Sequence, residues 1–119
     1  MEKLISWVEI PVLEMERAIR FYNAVLELDL QITDYGEEKM ACFPNGEGAL
    51  SLAPGFKPSK QGTLVSFNTG DAIQATIDRV IKAGGELLMP KTKIEAEGLG
   101  YFALFIDSEG NKLGLYGES

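Results

Sequence analysis

The chain contains no histidine and only one cysteine, and its eleven basic residues are outnumbered by eighteen acidic ones. The missing imidazole removes the commonest transition-metal ligand and the commonest proton shuttle near neutral pH. Cys42 stands alone, so no internal disulfide forms. Between Ala41 and Phe43, and with no histidine to activate it, it is expected to be a small buried hydrophobe and not a nucleophile. No basic cluster or basic helix face offsets the net charge of −7. Phosphate backbones and anionic lipid are therefore repelled, and neither nucleic acid nor membrane is expected as a partner. No apolar run reaches the length of a membrane span. The opening Lys3-Leu4-Ile5-Ser6-Trp7 leads into a strand and lacks the pattern of a secretory signal, which fits a cytoplasmic protein.

What is present suffices for a core. Apolar residues make up 45% of the 119 and charged residues 24%, the balance of an ordinary folded protein of one domain, residues 1–119. From Ser6 to Val12 the side chains alternate, with Val8, Ile10 and Val12 on one face and Trp7, Glu9 and Pro11 on the other, as in a strand that uses both faces. Glu14 to Leu28 places Met15, Ile19, Tyr22 and Leu26 on one stripe, widened by Ala18, Phe21 and Val25, which predicts an amphipathic helix. Three short strands follow, Leu30–Asp34, Glu38–Phe43 and Gly48–Leu52, separated by turns at Tyr35-Gly36-Glu37 and Asn45-Gly46-Glu47.

The same order then recurs. After a loop-like connection at about 57–62, rich in Pro, Gly and Ser, Leu64–Thr69 reads as a strand. Asp71 and Gln74 are expected to cap a helix carrying Ile73, Ile77, Val80 and Ile81, and Gly84-Gly85 ends it. Glu86–Met89 is a strand, Pro90–Gly100 a loop, and Tyr101–Ile106 pairs with Lys112–Tyr116 across Asp107-Ser108-Glu109-Gly110-Asn111, read as a plain hairpin turn. The pattern predicts an α+β fold of two βαβββ modules, about 3–56 and 63–119. Each would be a curved sheet with a helix on one face, and together they would form an open half-barrel cup that takes a ligand on the other face.

Three segments in this order carry a family resemblance: Trp7-Val8-Glu9-Ile10-Pro11-Val12, then Glu14-Met15-Glu16-Arg17-Ala18 running into Phe21-Tyr22, and the closing Gly100 to Leu115 with Asp107-Ser108-Glu109-Gly110-Asn111 at its centre. They resemble the vicinal oxygen chelate superfamily of glyoxalase I, bleomycin-resistance proteins and extradiol dioxygenases, over nearly the whole chain. The opening Glu-Ile-Pro-Val and the Pro90-Lys91-Thr92 segment are most similar to a lactoylglutathione lyase-related bacterial branch. The resemblance implies a homodimer, and a metal held by His, Gln or Glu on the first and last strand of each half. Those positions fall here on Trp7, on Ser51 within 48–52, on Leu64 (Thr63 if the register slips by one), and on Gly114. None offers an imidazole or a carboxylate, so no metal and no other cofactor is expected.

The remaining inner-face residues define the candidate site. Trp7 and Glu9 offer an aromatic wall beside a carboxylate, which suits a flat or cationic ligand; alternatively Trp7 fills the volume of the missing metal site and Glu9 bonds a neighbour. Ser51, Ser66 and Asn68 supply hydroxyl and amide groups to orient a ligand, or bond one another, while Tyr116 and Lys112 sit at the rim. Two functions follow. One is metal-independent binding or sequestration of a small aromatic or cationic molecule, as in resistance proteins. The other is a metal-independent lyase or isomerase on an α-oxo compound, with Glu9 as general base, buried beside Trp7. A divalent-metal glyoxalase chemistry ranks behind both.

Overall fold

The helix demanded by the first apolar stripe is present in the computed structural model, which describes residues 3–119. Helix α1 (Met15–Leu26) buries Met15, Ala18, Phe21, Tyr22 and Val25 and ends on Glu27, whose φ of 55° turns the chain back in the left-handed region. Strands β1 (Val8–Pro11), β2 (Ile32–Asp34), β3 (Lys39–Cys42) and β4 (Gly48–Leu52) form a sheet in the order β1-β4-β3-β2. Strands β5 (Ser66–Asn68), β6 (Glu86–Lys93), β7 (Tyr101–Ile106) and β8 (Lys112–Gly117) form a second in the order β5-β8-β7-β6, with α2 (Ile73–Lys82) between β5 and β6. In each sheet the first and last strands run parallel and the other pairs antiparallel. The architecture is α+β, the predicted βαβββ design used twice.

Register decides which side chains meet. Ile10, Leu50 and Ala41 lie side by side across the first sheet, as do Phe67, Leu115 and Ala103 across the second. Both rows join one core with the helices. Tyr22 stands at its centre, its ring 6.4 Å from Phe43 of the first half and 5.8 Å from Phe67 of the second. Because alternate residues of a strand point to opposite faces, the other side of each sheet is turned away from this shared core.

Some expectations need correction. β6 continues through Pro90 to Lys93, where a loop was predicted. It is an edge strand with register shifts beside Met89, a setting in which proline's missing N–H costs no ladder bond. Asp71 does not cap α2: the capping position is Ala72, without a side-chain bond, and Gln74 instead donates to Asp78. Cys42 is exposed and not buried, because Ala41 takes the core side of β3 and leaves its neighbour on the outer face.

The hairpin turn Asp107–Asn111 also exceeds its expected role. The buried Asp107 carboxylate accepts the Tyr22 hydroxyl at 2.5 Å and the backbone N–H groups of Glu109 and Asn111, both at 2.9 Å. Burial together with the Asp107 charge holds the Tyr22 phenol well above its ordinary pKa, so it stays a donor. The Asn111 amide donates to the Pro11 carbonyl at the end of β1. Glu109 receives the N–H groups of Leu13 and Glu14 at the start of α1, where an anion complements the helix dipole, and a two-point contact from Arg17.

Burial alone would raise the Glu109 carboxyl, but the bonds from Arg17, Glu14, Leu13 and Ser108 outweigh it and lower the pKa from 4.5 to about 2. A depressed folded-state value means the stabilisation is complete above the unfolded value and is lost as pH falls between the two. Melting temperature should therefore drop between pH 4.5 and pH 2, and less steeply in Glu109→Gln. That variant should also lose about 1–2 kcal/mol at neutral pH, since the buried side chain keeps its place but loses the charge that Arg17 and the two N–H groups meet, and Arg17 is itself partly open to solvent. Denaturant unfolding of both proteins across this pH range checks the pair.

Candidate functional site

The outer face of the first sheet is built from residues whose alternation turns them from the core. Trp7 lies just before β1 and Glu9 within it, and the indole Nε1–H donates to the Glu9 carboxylate at 3.2 Å. The indole is 41% exposed, so it lies half open to solvent and does not plug a closed cavity. Glu9 is likewise exposed, and the expected burial beside Trp7 is not found in this chain. Ser51, between Pro11 and Met40 across the sheet, forms the floor. It is 1% exposed, and its hydroxyl has no hydrogen-bond partner among the described residues.

On the second sheet Ser66, Gly114 and Leu104 lie in one outer row, and Asn68, Tyr116 and Phe102 in the next. The Asn68 Oδ1 accepts the Gly70 N–H, which leaves its amide N–H groups to donate outward. Gly114 is there because β8 approaches β5 closely: a Cβ at that position would run into the Ser66 hydroxyl. Ser66 therefore occupies the space a longer side chain at 114 would need.

β1 and β5 are each the edge of their own sheet and do not pair with one another. The seam between them carries two clefts that share Val8, Ile10 and Val65. One, of about 550 Å³, reaches inward to Leu26, Phe43 and Phe67 and has Ser66 and Asn68 in its wall. The other, of about 360 Å³, brings Glu9 and Pro11 of the first half to Lys112 of the second, with Phe56 and Lys57 of the connecting segment. Tyr116 lines a separate cleft with Lys93, Tyr101 and Glu118. The six predicted residues are thus divided: Trp7 touches Glu9, Ser66 and Asn68 share a cleft, and Ser51 and Tyr116 lie apart. Reading the sequence overlooked Phe56, at the end of the first module, and Lys57, at the start of the connection, and left Lys112 at a solvated rim. The parity of Lys112 with Gly114 on β8 was the signal that placed it on the outer face.

The four positions to which the sequence resemblance assigns a divalent metal offer an indole at Trp7, a hydroxyl at Ser51, an aliphatic chain at Leu64 and no side chain at Gly114. One neutral oxygen does not make a transition-metal site, which needs three or four anionic or imidazole donors. No three His, Cys, Asp or Glu side chains among the described residues are grouped to replace them. The residues present do not fit the group.

Residues 4–115 match the family model described as Glyoxalase/Bleomycin resistance protein/Dioxygenase superfamily, and the chain belongs to this family. The Mycobacterium bovis protein CFP32 is 25% identical over 117 residues, covering 93% of this chain and 44% of CFP32. The chain thus spans less than half the length of that relative. Among solved structures, a glyoxalase/bleomycin resistance protein from Albidiferax ferrireducens T118 is 21% identical with a TM-score of 0.72, covering 98% of this chain and 100% of that one. The fosfomycin resistance protein FosX from Mesorhizobium loti is 18% identical with a TM-score of 0.64, covering 100% and 94%. At these identities the likeness is one of fold.

The unpaired Ser51 hydroxyl generates a test. Replacing it with alanine removes a buried polar group that has no partner, so Ser51→Ala should gain about 1 kcal/mol in urea unfolding. A loss of similar size would reveal a partner for the hydroxyl.

Proposed function

We propose that this chain is a metal-independent member of its family that binds a small organic molecule at its outer faces, as a single domain working in a cytoplasmic homodimer. The observation that carries the reading is the donor set: indole, hydroxyl, aliphatic chain and glycine stand where the family's chemistry needs metal ligands. Neutral donors at Ser66 and Asn68 and the Trp7–Glu9 pair are suited to orienting a ligand with a flat or cationic part. The relatives of this fold include a fosfomycin resistance protein, and sequestration or resistance is the corresponding role here.

The dimer is supported by the apolar side chains left open on the outer faces. Trp7 and Leu64 are exposed near the starts of β1 and β5, and Met89, opposite Leu104 on the far edge of the second sheet, is exposed as well. Exposed large apolar side chains are covered at the interfaces of many homo-oligomers, and a second copy is the occupant the reading adopts. The alternative, Glu9 as the base of a lyase or isomerase, calls for a carboxylate shielded from water, and Glu9 is exposed in the single chain. Among the described residues no helix is long and apolar enough to cross a membrane.

Trp7 is the sole tryptophan, so its emission reports on the proposed face. Protein purified without chelators should contain no stoichiometric zinc, nickel, iron or manganese by elemental analysis, and EDTA should leave its melting temperature unchanged. A screen of small aromatic and cationic compounds should then yield members that shift Trp7 emission, equally with and without EDTA. A stoichiometric transition metal, or a ligand response abolished by chelation, refutes the reading.

A further inference from the structure

The smaller seam cleft carries more chemistry than a general binding face requires. The molecule is strongly acidic, yet the residues that line this cleft include two lysines, Lys112 and the exposed Lys57, against one acid, Glu9. Lys112 is half-buried, held there as the first residue of β8. Unlike charges sharing a cleft ordinarily close on each other, but neither lysine is within ion-pair distance of Glu9 or of any other described acid. Among the described residues, the side-chain hydrogen bond to Glu9 comes from the uncharged Trp7 indole. Phe56 and Pro11 supply apolar walls between these groups, and the volume of about 360 Å³ lies at the lower end of small-molecule sites.

We infer that this cleft recognises a small zwitterion. Its anionic end lies with Lys57 and Lys112, its cationic or N–H end with Glu9, and its flat or aliphatic body against Phe56. The inference rests on the binding reading above and narrows it: the ligand carries a negative group as well as the flat or cationic part suited to Trp7 and Glu9. It also makes the connecting segment part of the site, since Phe56 and Lys57 precede β5. The separation of unlike charges is what such a ligand satisfies, because its own two ends bridge the gap the side chains leave.

Three probes of one skeleton separate the possibilities: L-phenylalanine, phenethylamine, which lacks the carboxylate, and 3-phenylpropanoate, which lacks the amine. Each is titrated into the ¹⁵N-labelled protein and followed by amide chemical shifts. L-phenylalanine should perturb the amides of Glu9, Lys57 and Lys112 with a Kd about tenfold below that of either analogue, the worth of one charge-assisted contact. In Lys57→Met/Lys112→Met the phenylalanine Kd should rise to that of phenethylamine, whose own Kd stays unchanged. Phenethylamine binding as tightly as phenylalanine, with no effect of the double substitution, overturns this inference and leaves the binding reading intact. If none of the three perturbs residues of the cleft or the Trp7 face, both fall together.

Discussion

Everything in this fold is organised around a pair of acids on one hairpin turn. Each half of the molecule is a sheet with a single helix, too small to close a core by itself. The halves are joined where Asp107 meets the Tyr22 hydroxyl and Glu109 meets the start of α1. These are charge-assisted bonds in a setting of low polarity, where satisfied groups specify one arrangement and unsatisfied ones are costly. They fix the position of α1, and α1 carries Phe21 and Tyr22 into contact with Phe105 and Phe67 of the other sheet. The shared core follows from that contact, and the outward direction of the remaining sheet faces follows from the core.

The outer faces are where the chain departs from what its family's fold can support. The strands still present their alternating rows at the positions where a metal would be held, but the rows carry Trp7, Ser51, Leu64 and Gly114. Ser66 stands against Gly114, where a longer side chain would find no room. Ser51, Ser66 and Asn68 give these rows neutral polar atoms, and Glu9, Lys57 and Lys112 line a cleft at the seam.

Much of this architecture is legible in the order of the residues alone. The alternation at Val8, Ile10 and Val12 and the stripe from Met15 to Leu26 each name the buried face, because periodicity is a direct consequence of burial. The repeat of strand, helix and three strands exposes the duplication. Boundaries are harder: Pro90 reads as a break in sequence, yet on an edge strand its missing donor is harmless. Cys42 looks apolar by its neighbours, whereas its face is set by the register of β3 against β4. The hub is invisible for a different reason. Asp107 and Glu109 look like ordinary turn residues, and their partners lie 85 and up to 96 residues away along the chain. Which outer-face residues share a cleft depends in turn on how the sheets are set relative to one another, so Lys112 could be given a face but not a neighbour.

The two edge strands at the seam face a common pair of clefts and exchange no ladder bond. Adjustments in how one sheet leans on the other therefore disturb side-chain contacts but break no backbone pairing. Lineages built on this plan are free to reshape the crevice, widening it or changing its lining, while each half keeps its own hydrogen-bonded frame. Novelty in what is recognised is in this way decoupled from the integrity of the scaffold.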